Sequence, residues 1–225
     1  MRQKTAIVVA GGVPIDVAVV DRLPADAIVI AADSGAAQAA RLGLHVDLVV
    51  GDLDSLAPGQ LDAAVAGGAA VERHRPDKDK TDLELALDAA VERGVERIVV
   101  VAGQGGRLDH ALANLLLLAS ADYETTHLEA IVGHAHLHVV RAGPSHELEG
   151  TPGELVSLLA VNGPARDVYS EGLAWALTGD DLLPGSSRGV SNVFLAPTAL
   201  VSIGEGVLLA IVPGELADPA GFSRR

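Results

Sequence analysis

Cysteine is absent from the 225-residue chain, which excludes disulfides and thiolate metal sites and fits a reducing compartment. Aromatic residues make up only 2% of it although apolar residues reach 49%, so the core has to be built from Val, Leu, Ile and Ala. Basic residues are few beside acidic ones, 16 against 30, for a net charge of −14 at pH 7. No Lys/Arg stripe is long enough to follow a phosphate backbone, which argues against nucleic-acid binding. No apolar run reaches the length of a membrane span, and Met1 to Lys4 lead straight into a strand rather than a signal peptide. The expectation is a soluble, cytoplasmic protein with no membrane partner. The chain is long enough for two modest domains, and no internal repeat or low-complexity tract interrupts it.

What is present is an alternation. Thr5 to Ala10 and Ala27 to Ala32 are β-branched apolar runs ending in Gly11-Gly12 and Asp33-Ser34-Gly35, with Val13 to Leu23 and Ala36 to Leu42 read as helices after them. A strand at Asp47 to Gly51, a helix near Gly59 to Val65 and a strand around Ala70 to Arg73 continue the pattern. Arg97 to Ala102, Leu128 to Val132 and Leu137 to Arg141 are further strands. Strand, helix, strand, helix predicts a mostly parallel sheet, with ligands at the carboxyl ends of its strands.

Three stretches carry chemistry at that edge. In Gly51-Asp52-Leu53-Asp54-Ser55, residues two apart on an extended backbone face one way, so Asp52 and Asp54 present two carboxylates. Oxygen ligands without Cys or paired His suit Mg²⁺; a plain polar turn is the alternative. In Pro76 to Glu84, Thr81 and Glu84 form a capping box and Asp82 suits the positive helix end. Asp77, Lys78, Asp79 and Lys80 crowd the preceding turn, as a loop holding metal-bound phosphate would. In Gly103 to His110, glycines allow close approach of an anion, and Arg107 and Asp109 add a bidentate phosphate donor and an acceptor, although Asp109 also suits a helix N-cap. Neither G-x-G-x-x-G nor a Walker A loop is present.

His134, His136 and His138 alternate along one strand. They are read as a solvated strand face, because tetrahedral zinc is rarely served by three consecutive same-face positions. Ala142-Gly143-Pro144 breaks the pattern, which places an α/β catalytic domain at 1–142, an all-β sandwich or barrel at 145–215 and a tail at 216–225. Short strands are expected at Ser145 to Glu149, Leu155 to Val161, Ala165 to Val168, Ala174 to Leu177, Val193 to Ala196, Leu200 to Ile203 and Val207 to Val212. Trp175, the only tryptophan, is either core or a flat face for a heteroaromatic ligand; Ser191 and Asn192 are either turn chemistry or hydrogen-bonding groups for a ring.

Taken together, Asp33-Ser34-Gly35, Gly51-Asp52-Leu53-Asp54-Ser55, Lys78-Asp79-Lys80-Thr81-Asp82, Gly105-Gly106-Arg107-Leu108-Asp109-His110 and Ser191-Asn192 resemble the thiamine pyrophosphokinase family over roughly Ala31 to Val212. The resemblance implies an N-terminal α/β domain with a C-terminal β-sandwich, and a homodimer with thiamine bound at the subunit interface. It implies that Asp52, Asp54 and Asp82 hold Mg²⁺ with ATP, that Asp33, Lys78, Thr81, Arg107 and Asp109 line the nucleotide and transfer site, and that Trp175, Ser191 and Asn192 contact thiamine. The implied reaction is attack of the thiamine hydroxyl on the β-phosphorus of ATP, giving thiamine diphosphate and AMP, with no general base assigned. The alternatives are a related pyrophosphokinase for another heterocyclic alcohol, such as a hydroxymethylpterin, and a non-catalytic thiamine-binding regulator.

Overall fold

The structure is a computed structural model that describes residues 4–214; the tail expected at 216–225 lies outside the described residues. The first part of the chain runs β1 (Thr5–Val9), β2 (Ile28–Ala32), α1 (Gly35–Arg41), β3 (Leu48–Gly51), α2 (Gln60–Ala66), β4 (Ala70–Arg73), α3 (Asp82–Glu92), β5 (Arg97–Ala102), α4 (Leu108–Leu118), β6 (His127–Val132) and β7 (Ala135–Arg141). Strands β1 to β6 are mutually parallel, in the order β6-β5-β1-β2-β3-β4, and β7 turns back antiparallel on β6.

The apolar runs are continuous because both sheet faces are covered. Ala6, Val8, Ile30, Leu48 and Val50 face Leu83, Leu87 and Ala90 of α3 in one core. Ile7, Val9, Val29, Ala31 and Val49 face Ala36 and Ala39 of α1 in another, with Leu61 of α2 packed against it. The helix expected at Val13 to Leu23 is instead a short 3₁₀ turn, Val17–Arg22, capped by Asp16. Valine-rich and β-branched, that stretch has little helical preference.

The remainder is β8 (His146–Glu149), β9 (Leu155–Ala160), β10 (Ala165–Glu171), β11 (Thr178–Leu182), β12 (Asn192–Val193), β13 (Thr198–Ser202) and β14 (Val207–Val212). Three of these extend the first sheet, which reaches ten strands in the order β12-β9-β14-β7-β6-β5-β1-β2-β3-β4. The other four form an antiparallel sheet, β11-β10-β13-β8. Leu208, Ala210 and Val212 of β14 point into the core between the two sheets, while Leu209 points into the α/β core. That alternation is why the β14 run is apolar throughout.

Two expected strands move. Ala174 to Leu177 is a loop, and the strand lies one step on at the polar Thr178–Leu182; Val193 to Ala196 contracts to Asn192–Val193 with an isolated bridge at Phe194. Hydrophobicity misplaced both because β11 and β12 are sheet edges, where backbone pairing rather than burial defines the strand.

Candidate active site

The carboxyl ends of β5, β1, β2 and β3 lie side by side, and their turns interlock at glycines. A Cβ at Gly35 would stand 2.0 Å from the Val9 carbonyl oxygen, one at Gly103 2.1 Å from that of Val13, and one at Gly11 2.1 Å from Ser34 Oγ. These contacts admit no side chain.

Against this edge, Asp33, Asp52 and Asp82 bring one carboxylate oxygen each to within 4.8 Å of one another. Asp33 follows β2 in a left-handed conformation (φ 46°) and is buried, with Oδ1 lacking any partner. Burial raises its carboxyl above the ordinary value, outweighing hydrogen bonds from Ser34 and Ser55. Asp82 is the first residue of α3, whose N-cap Thr81 accepts from the Glu84 amide at 3.2 Å, as the capping box predicts. Gly51 makes the convergence possible, for a Cβ there would meet Asp82 Oδ1 at 2.8 Å.

Lys78 Nζ bridges the cluster, donating to Asp82 Oδ1 at 2.6 Å and Asp52 Oδ2 at 3.2 Å. Burial alone would raise the Asp52 carboxyl, but the Lys78 bond and charge bring it below the usual range. Burial likewise opposes the Lys78 ammonium, and the two carboxylates nonetheless raise it. The rest of that charged run turns elsewhere: Asp77 pairs with Arg75 at 2.7 Å, and Lys80 with Asp88 at 2.6 Å.

Asp54 stands outside the cluster. The extended backbone assumed for Asp52 and Asp54 ends at Gly51, and Leu53 is left-handed (φ 68°), so the two side chains do not continue one strand face. Asp54 is exposed and its Oδ1 accepts from Ser55 Oγ at 3.0 Å. Asp33 takes the third place, a convergence of two separate strand ends that local spacing does not reveal. Arg107, the N-cap of α4, forms a two-pronged pair with Asp109 at 2.6 and 3.2 Å, fully exposed at the β5 end. That contact lowers the Asp109 carboxyl to about 2.

In the β-domain Trp175 is 64% exposed on its loop. Asn192 is buried and its amide is spent on backbone: Oδ1 accepts from the Trp175 and Val193 amides at 3.0 and 2.9 Å, and Nδ2 donates to the Trp175 carbonyl at 2.7 Å. Asn192 therefore braces the Trp175 loop. Ser191 is exposed and left-handed (φ 59°), its amide donating to Ser157 Oγ at 3.1 Å.

The solvated face expected for the histidines is corrected. His138 is 7% exposed, and its ring lies 4.0 Å from that of His136 and 5.2 Å from that of His146. His146 of β8 packs over this face of β7, its Nε2 3.3 Å from His138 Nδ1. His134 falls in the β6–β7 turn, away from this group. Glu129 and His146, which complete the cluster, come from β6 and β8; strand alternation shows only the β7 members.

Comparison with known proteins matches both parts of the chain. The family model described as thiamin pyrophosphokinase, catalytic domain, covers residues 21–130, and that described as thiamin pyrophosphokinase, vitamin B1 binding domain, covers residues 145–208. The thiamine pyrophosphokinase of Bacillus subtilis is 24% identical over 182 residues, 81% of this chain and 85% of the relative. The crystal structure of the Bacillus subtilis enzyme superposes with a TM-score of 0.82 at 25% identity, covering 95% of this chain and 100% of that one. That of Geobacillus thermodenitrificans thiamin pyrophosphokinase gives 0.80 at 26%, covering 96% and 100%. With both family models matched in order along the sequence and the fold shared over 95% of its length, the chain belongs to the thiamine pyrophosphokinase family.

Proposed function

We propose that this protein transfers the diphosphoryl group of ATP to the hydroxyl of thiamine, giving thiamine diphosphate, AMP and a proton. The observation that carries the reading is a catalytic and a vitamin-B1-binding family match in one chain, with an acidic cluster at the sheet edge of the first. The same matches do not favour a pterin acceptor or a non-catalytic role.

The donor set fits a hard divalent cation. Three carboxylates and one ammonium leave two formal negative charges, the carboxylates offer oxygen donors only, and buried Asp33 Oδ1 has no partner of its own. Asp33, Asp52 and Asp82 would hold Mg²⁺, which when bound neutralises charge on the ATP phosphates. Lys78, already bonded to Asp52 and Asp82, would turn to phosphate oxygens from the same position. Arg107 at the head of α4 binds the transferred group by exchanging Asp109 for phosphate. The hydroxyl of thiamine attacks the β-phosphorus as the bond to the α-phosphate oxygen breaks. Such transition states are loose, so positioning and charge neutralisation carry the rate and a strong base is not required.

Trp175, presented by Asn192, would stack on a thiamine ring, with Ser191 beside it. In one chain this group sits at the β12 end of the large sheet, eight strand positions from β3. At about 4.8 Å per strand that is roughly 38 Å along the sheet. A homodimer that sets the β-domain of one protomer against the acidic cluster of its partner resolves the distance. Leu108, Leu112 and Leu116, exposed at four-residue spacing on α4, offer an apolar stripe for such a contact. A cysteine-free chain suits the reducing cytoplasm.

The test is product identity. Protein incubated with Mg-ATP and thiamine is followed by phosphorus NMR or chromatography, and AMP should form in step with thiamine diphosphate, only when thiamine and Mg²⁺ are both present. Stoichiometric ADP would overturn diphosphoryl transfer, and AMP formed only with a hydroxymethylpterin would move the acceptor.

A further inference from the structure

We propose that Glu129, His136, His138 and His146 form a second cation site, for a single transition-metal ion of the zinc class, where β6 and β7 meet β8. Donor atoms of Glu129, His136 and His138 lie within 4.8 Å of one another, and His146 approaches from β8. Glu129 Oε2 lies 3.2 Å from His136 Nε2 and 3.8 Å from His138 Nδ1, and His138 Nδ1 lies 3.3 Å from His146 Nε2. Tetrahedral zinc with bonds of about 2.0–2.1 Å separates neighbouring ligand atoms by about 3.3–3.4 Å, close to these contacts, and the His146 ring would turn toward Glu129 and His136 to take the fourth place.

Glu129 Oε2 faces nitrogens of both His136 and His138, and His138 Nδ1 also faces His146 Nε2, lone-pair donors set against one another as around a shared cation. Arg97 binds Glu129 through Oε1, from Nε at 2.7 Å and from Nη2, which orients the carboxylate and leaves Oε2 turned to the rings. His127 stacks on His146 at 5.1 Å and 13° and fixes that ring in turn.

Imidazole donors favour zinc, copper, nickel or cobalt over magnesium, so this site is chemically separate from the oxygen-only cluster of Asp33, Asp52 and Asp82. An open cavity of about 660 Å³, lined by all four residues, provides the way in. Glu129, His136 and His138 belong to the ten-stranded sheet and His146 to the four-stranded one, so a bound ion ties the two sheets together.

The experiment strips the full-length protein with a chelator and titrates it with zinc sulfate alone, without nucleotide, reading metal per chain by elemental analysis and the thermal midpoint by circular dichroism. One Zn²⁺ per chain with a raised Tm is expected, and Co²⁺ in its place should give the visible absorption of a tetrahedral ion. His136→Gln, at a partly exposed position, and His146→Gln should each weaken zinc binding more than about tenfold, while Asp52→Asn leaves it unchanged. Circular dichroism in chelator establishes that each variant folds. Absence of stoichiometric zinc binding, binding unaltered in both folded histidine variants, or binding lost in Asp52→Asn would overturn the site.

Discussion

At Asn192 every polar bond of the side chain ends on backbone, two of the three on Trp175, whereas the Trp175 indole itself is 64% exposed. Removing the two side chains should therefore have different signatures. Trp175→Ala is expected to raise the KM for thiamine roughly tenfold, the loss of about 1–2 kcal/mol of stacking, with stability within about 0.5 kcal/mol of wild type. Asn192→Ala should raise the same KM and also lower unfolding stability by about 1–3 kcal/mol, because it strands the Trp175 and Val193 amides. Steady-state kinetics beside urea melts make the distinction. If Asn192→Ala melted like wild type, the brace would not be structural. The residue scale is also where reading from sequence stops short. That Asp52 and Asp82 stand at the carboxyl edge of the sheet is legible from strand-end glycines and a capping box. That Asp33 and not Asp54 completes the trio depends on the left-handed turn at Leu53 and on adjacency of two strands distant in sequence.

Among the elements, α3 shows how a helix start positions chemistry. Thr81 caps it through the Glu84 amide, Leu83, Ala86, Leu87 and Ala90 anchor it on the sheet, and Asp82 is thereby delivered to Gly51. Thr81→Ala removes the cap and should cost about 1 kcal/mol of stability. Fraying of the first turn should also weaken activation by Mg²⁺, seen as a higher Mg²⁺ concentration at half-maximal turnover, and Thr81→Ser should restore both. An unchanged Mg²⁺ dependence in Thr81→Ala would detach the cap from the acidic cluster. The interior elements β1, β2, β3, β5 and α3 were legible because burial on two faces or one stripe writes a periodic pattern. Edge strand β11, with the sequence TGDDL, carries no such pattern, and its pairing to β10 is set by partners rather than by its own residues.

For the whole molecule the proposed reaction requires two groups at distant positions of one sheet, the acidic cluster and Trp175, to act together. The β14 run packs against both cores and makes the N- and C-terminal parts of the chain share a continuous sheet, so hinge closure within a protomer would have to break β14 from β7 or β9. On the proposed reading a site shared between two copies would be the cheaper solution, since a C2 dimer buries the same patch twice and completes two sites at once. Mixing chains carrying Asp52→Asn with chains carrying Trp175→Ala then has a definite outcome. Each hybrid dimer has one site with both lesions and one with neither. Equal mixing with full subunit exchange makes half the dimers hybrids, so at thiamine well below KM activity should rise to about a quarter of the wild-type value, against about a twentieth for the same two preparations kept apart. Exchange is established independently by native mass spectrometry of isotope-labelled and unlabelled chains. With exchange demonstrated and no recovery, both half-sites would have to act within one protomer, and the path between β3 and β12 would have to be bridged inside a single chain.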